Sequence, residues 1–224
     1  MRSRGGPQCS GGALVLGRRS VLVFAILLWS GGVGVGLWGL WTYAATAGTP
    51  AAAPQRWPAD STIARSPGQP ALVVFAHPQC PCSRATIGEL ARLMTHAQGG
   101  VTASVLFLKP PGVDDAWVKS DLWRSAAVIP GVEVREDQGG LEAWRFGAAT
   151  SGQTLLYDER GRLVFHGGIT AGRGHFGDNA GRIGLVRYLT EDVAPSGKTP
   201  VFGCALHDPE AVCAKEGSHV CPKR

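Results

Sequence analysis

ALVVFAHPQCPCSRATIGELARLM, residues 71–94, is the stretch that decides the fold. Its first six residues, Ala71 to Ala76, form a continuous apolar run, β-branched in part, which predicts a buried strand. From Cys82 to about Gln98, the residues Ile87, Leu90, Ala91 and Met94 recur at spacings of 3, 1 and 3. That spacing predicts an amphipathic helix, ended by Gly99-Gly100. Between strand and helix stand Cys80 and Cys82, on either side of Pro81. Unpaired N–H groups and the positive end of a helix favour a thiolate there, and the thiolate is the reactive form.

Outward from this stretch, ASVLFLK (103–109) reads as a second buried strand closed by Pro110-Pro111. Residues 114–128 read as a helix with Asp114 as N-cap and Pro130-Gly131 as its stop. VEVRED (132–137) alternates like a strand, and LEAWRFGA (141–148) makes one or two helical turns. QTLLYD (153–158) and RLVFHGG (162–168), joined at Glu159-Arg160-Gly161, form a β-hairpin. After a Gly-rich loop, Asp178 is the expected cap of a final helix reaching about Leu189. The order βαβα(β)αββα predicts an α/β fold, a mixed sheet with helices on both faces.

This order of elements resembles the thioredoxin fold over roughly residues 70–192. The strand LVVFA, the cysteine turn and the helix SRATIGELARLM are similar to the strand, active-site turn and helix of that superfamily, and TLLYDERGRLVF to its later hairpin. CPCSRATIGEL, DLWRSA, GGITAGRGHFGDNAGR and VFGCAL also resemble bacterial membrane-anchored thioredoxin-like proteins of the RedB type. The resemblance implies thiol–disulfide exchange without a cofactor. It also implies a protein or small-molecule thiol or disulfide substrate and an electron partner in the same compartment. The sequence departs from the family's Cys-x-x-Cys: if Pro81-Cys82 takes the place of its Pro-Cys, Gln79 stands where the first cysteine belongs. Gln153 stands where thioredoxins place a cis-proline against the active site. Pro81 and Gln153 are therefore the expected substrate-facing positions.

In the redox reading Cys80 attacks and Cys82 resolves, with Cys82 better placed for thiolate stabilisation and Cys80 for access. A bond between cysteines two apart needs a bent backbone, and strain makes it easier to reduce. His77 is a candidate for lowering a thiol pKa or taking its proton, or else a plain turn residue before Pro78. A second reading is a binding or delivery module for copper or zinc, with Cys80, Cys82, Cys204, His207, Cys213, His219 and Cys221 as candidate ligands. A third is a thioredoxin-fold interaction domain without turnover. A disulfide between two tail cysteines would leave a spare thiol able to exchange with Cys80 or Cys82. Arg173 and His175, in the Gly-rich loop, read as solvated residues or as substrate contacts. That loop has no P-loop lysine, so it is a permissive loop rather than a phosphate cradle.

The net charge of +5 lies entirely in Arg2, Arg4, Arg18, Arg19 and Arg56, all before the first acidic residue, Asp60. Residues 60–224 are formally neutral, which argues against a nucleic-acid partner. Residues 21–41 form a run of 21 without a charge, preceded by Arg18-Arg19 and followed by no Lys or Arg until Arg56. This predicts a single transmembrane anchor at 21–43, with residues 1–20 as a basic cytoplasmic tail. A cleaved signal ending near Ala45-Thr46-Ala47 is the alternative. Either way the remainder is exported: a Pro/Ala-rich linker at 44–70, the domain at 71–192 and a Cys-containing tail at 193–224. The expected location is the bacterial inner (plasma) membrane, single-pass, with the N-terminus cytoplasmic and the C-terminal domain periplasmic or extracytoplasmic. Five cysteines then face an oxidising compartment.

Overall fold

In the computed structural model, residues 12–49, 52–195 and 197–206 are described. Helix α1 (Gly12–Ala45, 34 residues) forms a unit by itself. Its stretch Gly17–Ala45, 29 residues of mean hydropathy 2.1, is long and apolar enough to cross a membrane. It contains the predicted span at 21–43.

The second unit is organised around β1 (Ala71–Ala76), whose six residues are all buried. On one side β1 pairs parallel with β2 (Thr102–Lys109), which pairs parallel with β3 (Val132–Gln138). On the other side it pairs antiparallel with β4 (Thr154–Tyr157), which pairs antiparallel with β5 (Leu163–Gly167). The resulting order is β3-β2-β1-β4-β5. The mixed sheet expected from the sequence is present.

Successive strand side chains point to opposite faces, so β1 feeds two cores. Leu72, Val74 and Ala76 join Ile87, Leu90, Leu93 and Met94 of α2 (Ser83–Ala97), Leu122 and Ala126 of α4 (Asp121–Ala127), and Leu185 of α6 (Ala180–Glu191). Val73 and Phe75 face the other way, onto Phe146, Tyr157 and Ala143 of α5 (Leu141–Arg145). Trp57 closes this second face, edge-on to Phe146 at 5.0 Å and to Tyr157 at 5.2 Å.

Two local details differ from the sequence expectation. Residues 114–128 form two helices, α3 (Asp115–Val118) and α4, because Ser120 interrupts as a second cap: its hydroxyl accepts the Trp123 N–H, while Asp114 accepts that of Trp117. At α6, Asn179 rather than Asp178 is the N-cap, accepting the Arg182 N–H at 2.8 Å. Asp178 pairs with the Arg182 guanidinium instead.

After α6 the chain returns along the edge of the sheet. The His166 N–H donates to Gly197 O at 3.0 Å, and the Gly48 N–H to Val201 O at 2.8 Å. Val201, Phe202 and Leu206 are buried. This segment, 197–206, then crosses in front of the loop preceding β4.

Candidate active site

The turn after β1 is tight. Cys80 N–H donates to His77 O at 3.1 Å, Ser83 N–H to Cys80 O at 3.1 Å and Arg84 N–H to Pro81 O at 3.3 Å. Cys82 is the N-cap residue of α2, in helical backbone geometry. The turn lies at the carboxyl end of β1, where the sheet switches from parallel to antiparallel pairing. In α/β sheets ligands commonly bind outside the carboxyl ends of the strands.

Two buried serines clamp this turn to the loop before β4. The Ser151 hydroxyl accepts the His77 N–H at 2.8 Å and lies 2.7 Å from the Ser83 hydroxyl. The Ser151 N–H donates to Cys204 O at 2.8 Å. Cys80, Cys82 and Cys204 are all free thiols, and each influences the ionisation of its neighbours.

Burial works against ionisation of Cys80, but hydrogen bonds from Cys204 and Ser83 outweigh it and hold this thiol below its ordinary pKa. Burial raises Cys82, as do the Cys80 charge and the hydrogen bond that Cys82 gives it, while Arg173 pulls the other way. Burial, the hydrogen bond to Cys80 and the charges of Cys80 and Cys82 push Cys204 up to about 12. Of the three thiols, Cys80 is therefore the one most readily ionised.

This differs from the sequence expectation about the two cysteines. Cys80 has the better thiolate electrostatics, yet it is only 1% exposed. Cys82 is half-buried and therefore the more accessible thiol, and Pro81 between them is exposed. The reason is tertiary: Cys80 points inward toward Ser83 and the returning Cys204, which spacing along the turn does not reveal.

His77 is half-buried beside the turn. Its Nδ1 accepts the Gln79 N–H at 3.1 Å and its ring stands edge-on to Trp117 at 5.5 Å. Burial lowers its pKa. Gln153 is 1% exposed, and its side-chain oxygen is buried without a hydrogen-bond partner. It lines a cavity of about 350 Å³ with His166, Lys198 and Val201. No peptide bond among the described residues is cis.

Arg173 belongs to the site. Its guanidinium donates to Gly203 O at 2.7 Å and, by hydrogen bonding and charge, pulls the Cys82 pKa down against burial. His175 is exposed, with Nδ1 2.8 Å from Arg173 O. Sequence reasoning passed over Ser83 and Ser151, whose partnership joins residues far apart in the chain. Ser83, next to the motif, was the one accessible hint. Among the described residues no group of three or more His, Cys, Asp or Glu side chains is placed to hold a metal ion. His207, Cys213, His219 and Cys221 of the copper or zinc alternative lie outside the described residues.

No family model matches the chain, and no curated protein matches it. Among solved structures, it is similar to an uncharacterized conserved protein from Geobacillus kaustophilus, with 18% identity and a TM-score of 0.51 over 73% of this chain and 93% of that one. The fold is thioredoxin-like. A hypothetical protein from Sinorhizobium meliloti is 22% identical over 62% of this chain and 79% of that one, with a TM-score of 0.49. A secreted disulfide oxidoreductase from Mycobacterium tuberculosis, described as homologous to E. coli DsbE, is 18% identical over 43% of this chain and 67% of that one, with a TM-score of 0.36. In this thioredoxin-like frame, the cysteine turn occupies the end of the central strand with a helix directly behind it.

Proposed function

We propose that the protein carries out thiol–disulfide exchange on the outer face of the bacterial plasma membrane, tethered by α1 and acting through the Cys-Pro-Cys turn. The observation that carries this reading is the placement of the Cys-Pro-Cys turn between the end of β1 and the start of α2 with Cys204 brought against it, where hydrogen bonds from Cys204 and Ser83 favour the Cys80 thiolate despite its burial. A stabilised thiolate with further thiols in contact is the chemical requirement for forming and resolving a mixed disulfide. The Cys80 thiolate attacks one sulfur of a substrate disulfide, and the departing substrate thiolate takes a proton from solvent. A neighbouring thiol then attacks the Cys80 sulfur and releases the second substrate thiol.

The basic flank at Arg18-Arg19 supports a cytoplasmic N-terminus, which sends the domain outward. A dithiol or disulfide protein of that compartment serves as electron partner. Kinship with the RedB type is part of this proposal. The test uses the full chain in detergent with a disulfide-linked fluorescent peptide. Cys80→Ser is expected to abolish exchange, and exchange that survives loss of both Cys80 and Cys82 would reject the site.

A further inference from the structure

The segment 197–206 is built to present Cys204 to the thiol turn. It forms an antiparallel bridge, Thr150 opposite Ala205, flanked by Ser151 N–H to Cys204 O at 2.8 Å and Leu206 N–H to Ala149 O at 2.9 Å. The approach is close enough that a Cβ on Gly203 would stand 1.9 Å from Ser151 O, so only glycine passes there. Arg173 holds the same glycine from the other side through its carbonyl. Val201, Phe202 and Leu206 bury their side chains and anchor the segment at both ends of the crossing.

We propose that Cys204 is the resolving thiol: it closes a disulfide with Cys80 and so fastens segment 197–206 across the turn. This rests on the reading of Cys80 as the exchanging thiol. Three observations favour Cys204 over Cys82. Side chains two apart in a helical turn do not face each other, and the Ser83 N–H bond to Cys80 O together with helical geometry at Cys82 makes this such a turn. Closing Cys80 onto Cys82 would have to bend that turn. Cys204 arrives on a separate segment that the Thr150–Ala205 bridge and the Ser151 N–H bond to Cys204 O hold against the turn, so closing it onto Cys80 leaves the turn unbent.

In the resolving step, Cys204 loses its proton to the substrate thiolate being displaced and attacks the Cys80 sulfur of the mixed disulfide. The Cys80–Cys204 bond forms as the Cys80–substrate bond breaks. Two electrons pass from the two protein thiols to the substrate disulfide. An external dithiol restores the reduced form by the reverse exchange.

The test equilibrates the full chain in detergent with reduced and oxidised glutathione, quenches with acid, alkylates, and maps the linkages by peptide mass. Wild type and Cys82→Ser are expected to carry Cys80–Cys204 as the principal linkage. Cys204→Ser is expected to accumulate glutathione on Cys80 about tenfold over wild type, because the mixed disulfide lacks its resolving thiol. Gly203→Val keeps every cysteine but displaces the segment, and it should lower the Cys80–Cys204 yield about fivefold or more. A principal Cys80–Cys82 linkage, or Cys204 joined to Cys213 or Cys221, overturns the assignment. So does wild-type exchange in Cys204→Ser without a trapped mixed disulfide, an outcome that leaves the exchange function standing. A Cys80–Cys204 linkage in a protein that exchanges with no disulfide peptide removes the function and keeps the pairing.

Discussion

Ser83 and Ser151 meet through their hydroxyls at 2.7 Å inside the protein, joining the first turn of α2 to the loop before β4. Because the Ser151 hydroxyl also accepts the His77 N–H, a single oxygen holds both ends of the cysteine turn. Replacing Ser151 by alanine leaves that N–H without an acceptor. The expected cost is about 1–3 kcal/mol, read from urea unfolding. No measurable loss would mean that the clamp does not contribute to stability.

The three thiols are expected to titrate in a definite order. Cys80 should ionise at lower pH than an ordinary thiol, whereas Cys82 and Cys204 should ionise at higher pH, Cys204 at about 12. Alkylation of the reduced protein at a series of pH values, mapped residue by residue, gives the three midpoints. Cys82 titrating below Cys80 would contradict the geometry described.

Arg173 lowers the Cys82 pKa by a hydrogen bond and by its charge, against the larger effect of burial. Arg173→Ala should therefore shift the Cys82 alkylation midpoint upward, while Arg173→Lys restores part of the charge but not the fixed hydrogen bond. A downward or absent shift with alanine would show that the guanidinium does not act on this thiol.

Glu142 supplies a pH dependence of stability away from the site. Burial opposes its ionisation, but hydrogen bonds from the Thr62 N–H, the Ser61 hydroxyl and Arg145 prevail and lower its pKa from 4.5. A carboxylate whose folded pKa is depressed stabilises the protein above its unfolded pKa. That contribution is lost as pH falls through the folded value. Wild type should therefore exceed Glu142→Gln in stability at neutral pH, and the gap should close in acid. A gap that persists unchanged into acid would assign the effect to packing.

Phe146 is fully buried and packs against Trp57, Phe75 and Tyr157. Phe146→Ala should cost about 3–5 kcal/mol by removing the centre of the second core. Denaturant unfolding measures the loss, and a value under about 1 kcal/mol would indicate that this face collapses to fill the gap.

The elements that frame the turn were legible because each carries a strong local signal. Ala71–Ala76 is an uninterrupted apolar run, and the Ile87, Leu90, Ala91 and Met94 spacing admits only a helix. Capping was less legible where two competent residues adjoin, as at Asp178 and Asn179, since either can accept an N–H and tertiary ion pairing decides. The Cys80 and Cys82 pair was plain in the sequence, but its orientation was not. Cys80 is covered by residues more than a hundred positions later, in a segment with neither helical nor strand periodicity. Its local marks, the VFGCAL stretch and Cys204 itself, carry no signal of which part of the fold they pack against.

The placement of Cys204 also sets a competitive threshold. A group already held against its target acts at an effective concentration that reaches millimolar even through a flexible connection. Here the connection is fixed by backbone hydrogen bonds on both sides of the cysteine. Any external thiol seeking Cys80 must displace a resident neighbour. Selectivity at this site therefore begins with how tightly the chain holds segment 197–206 in place.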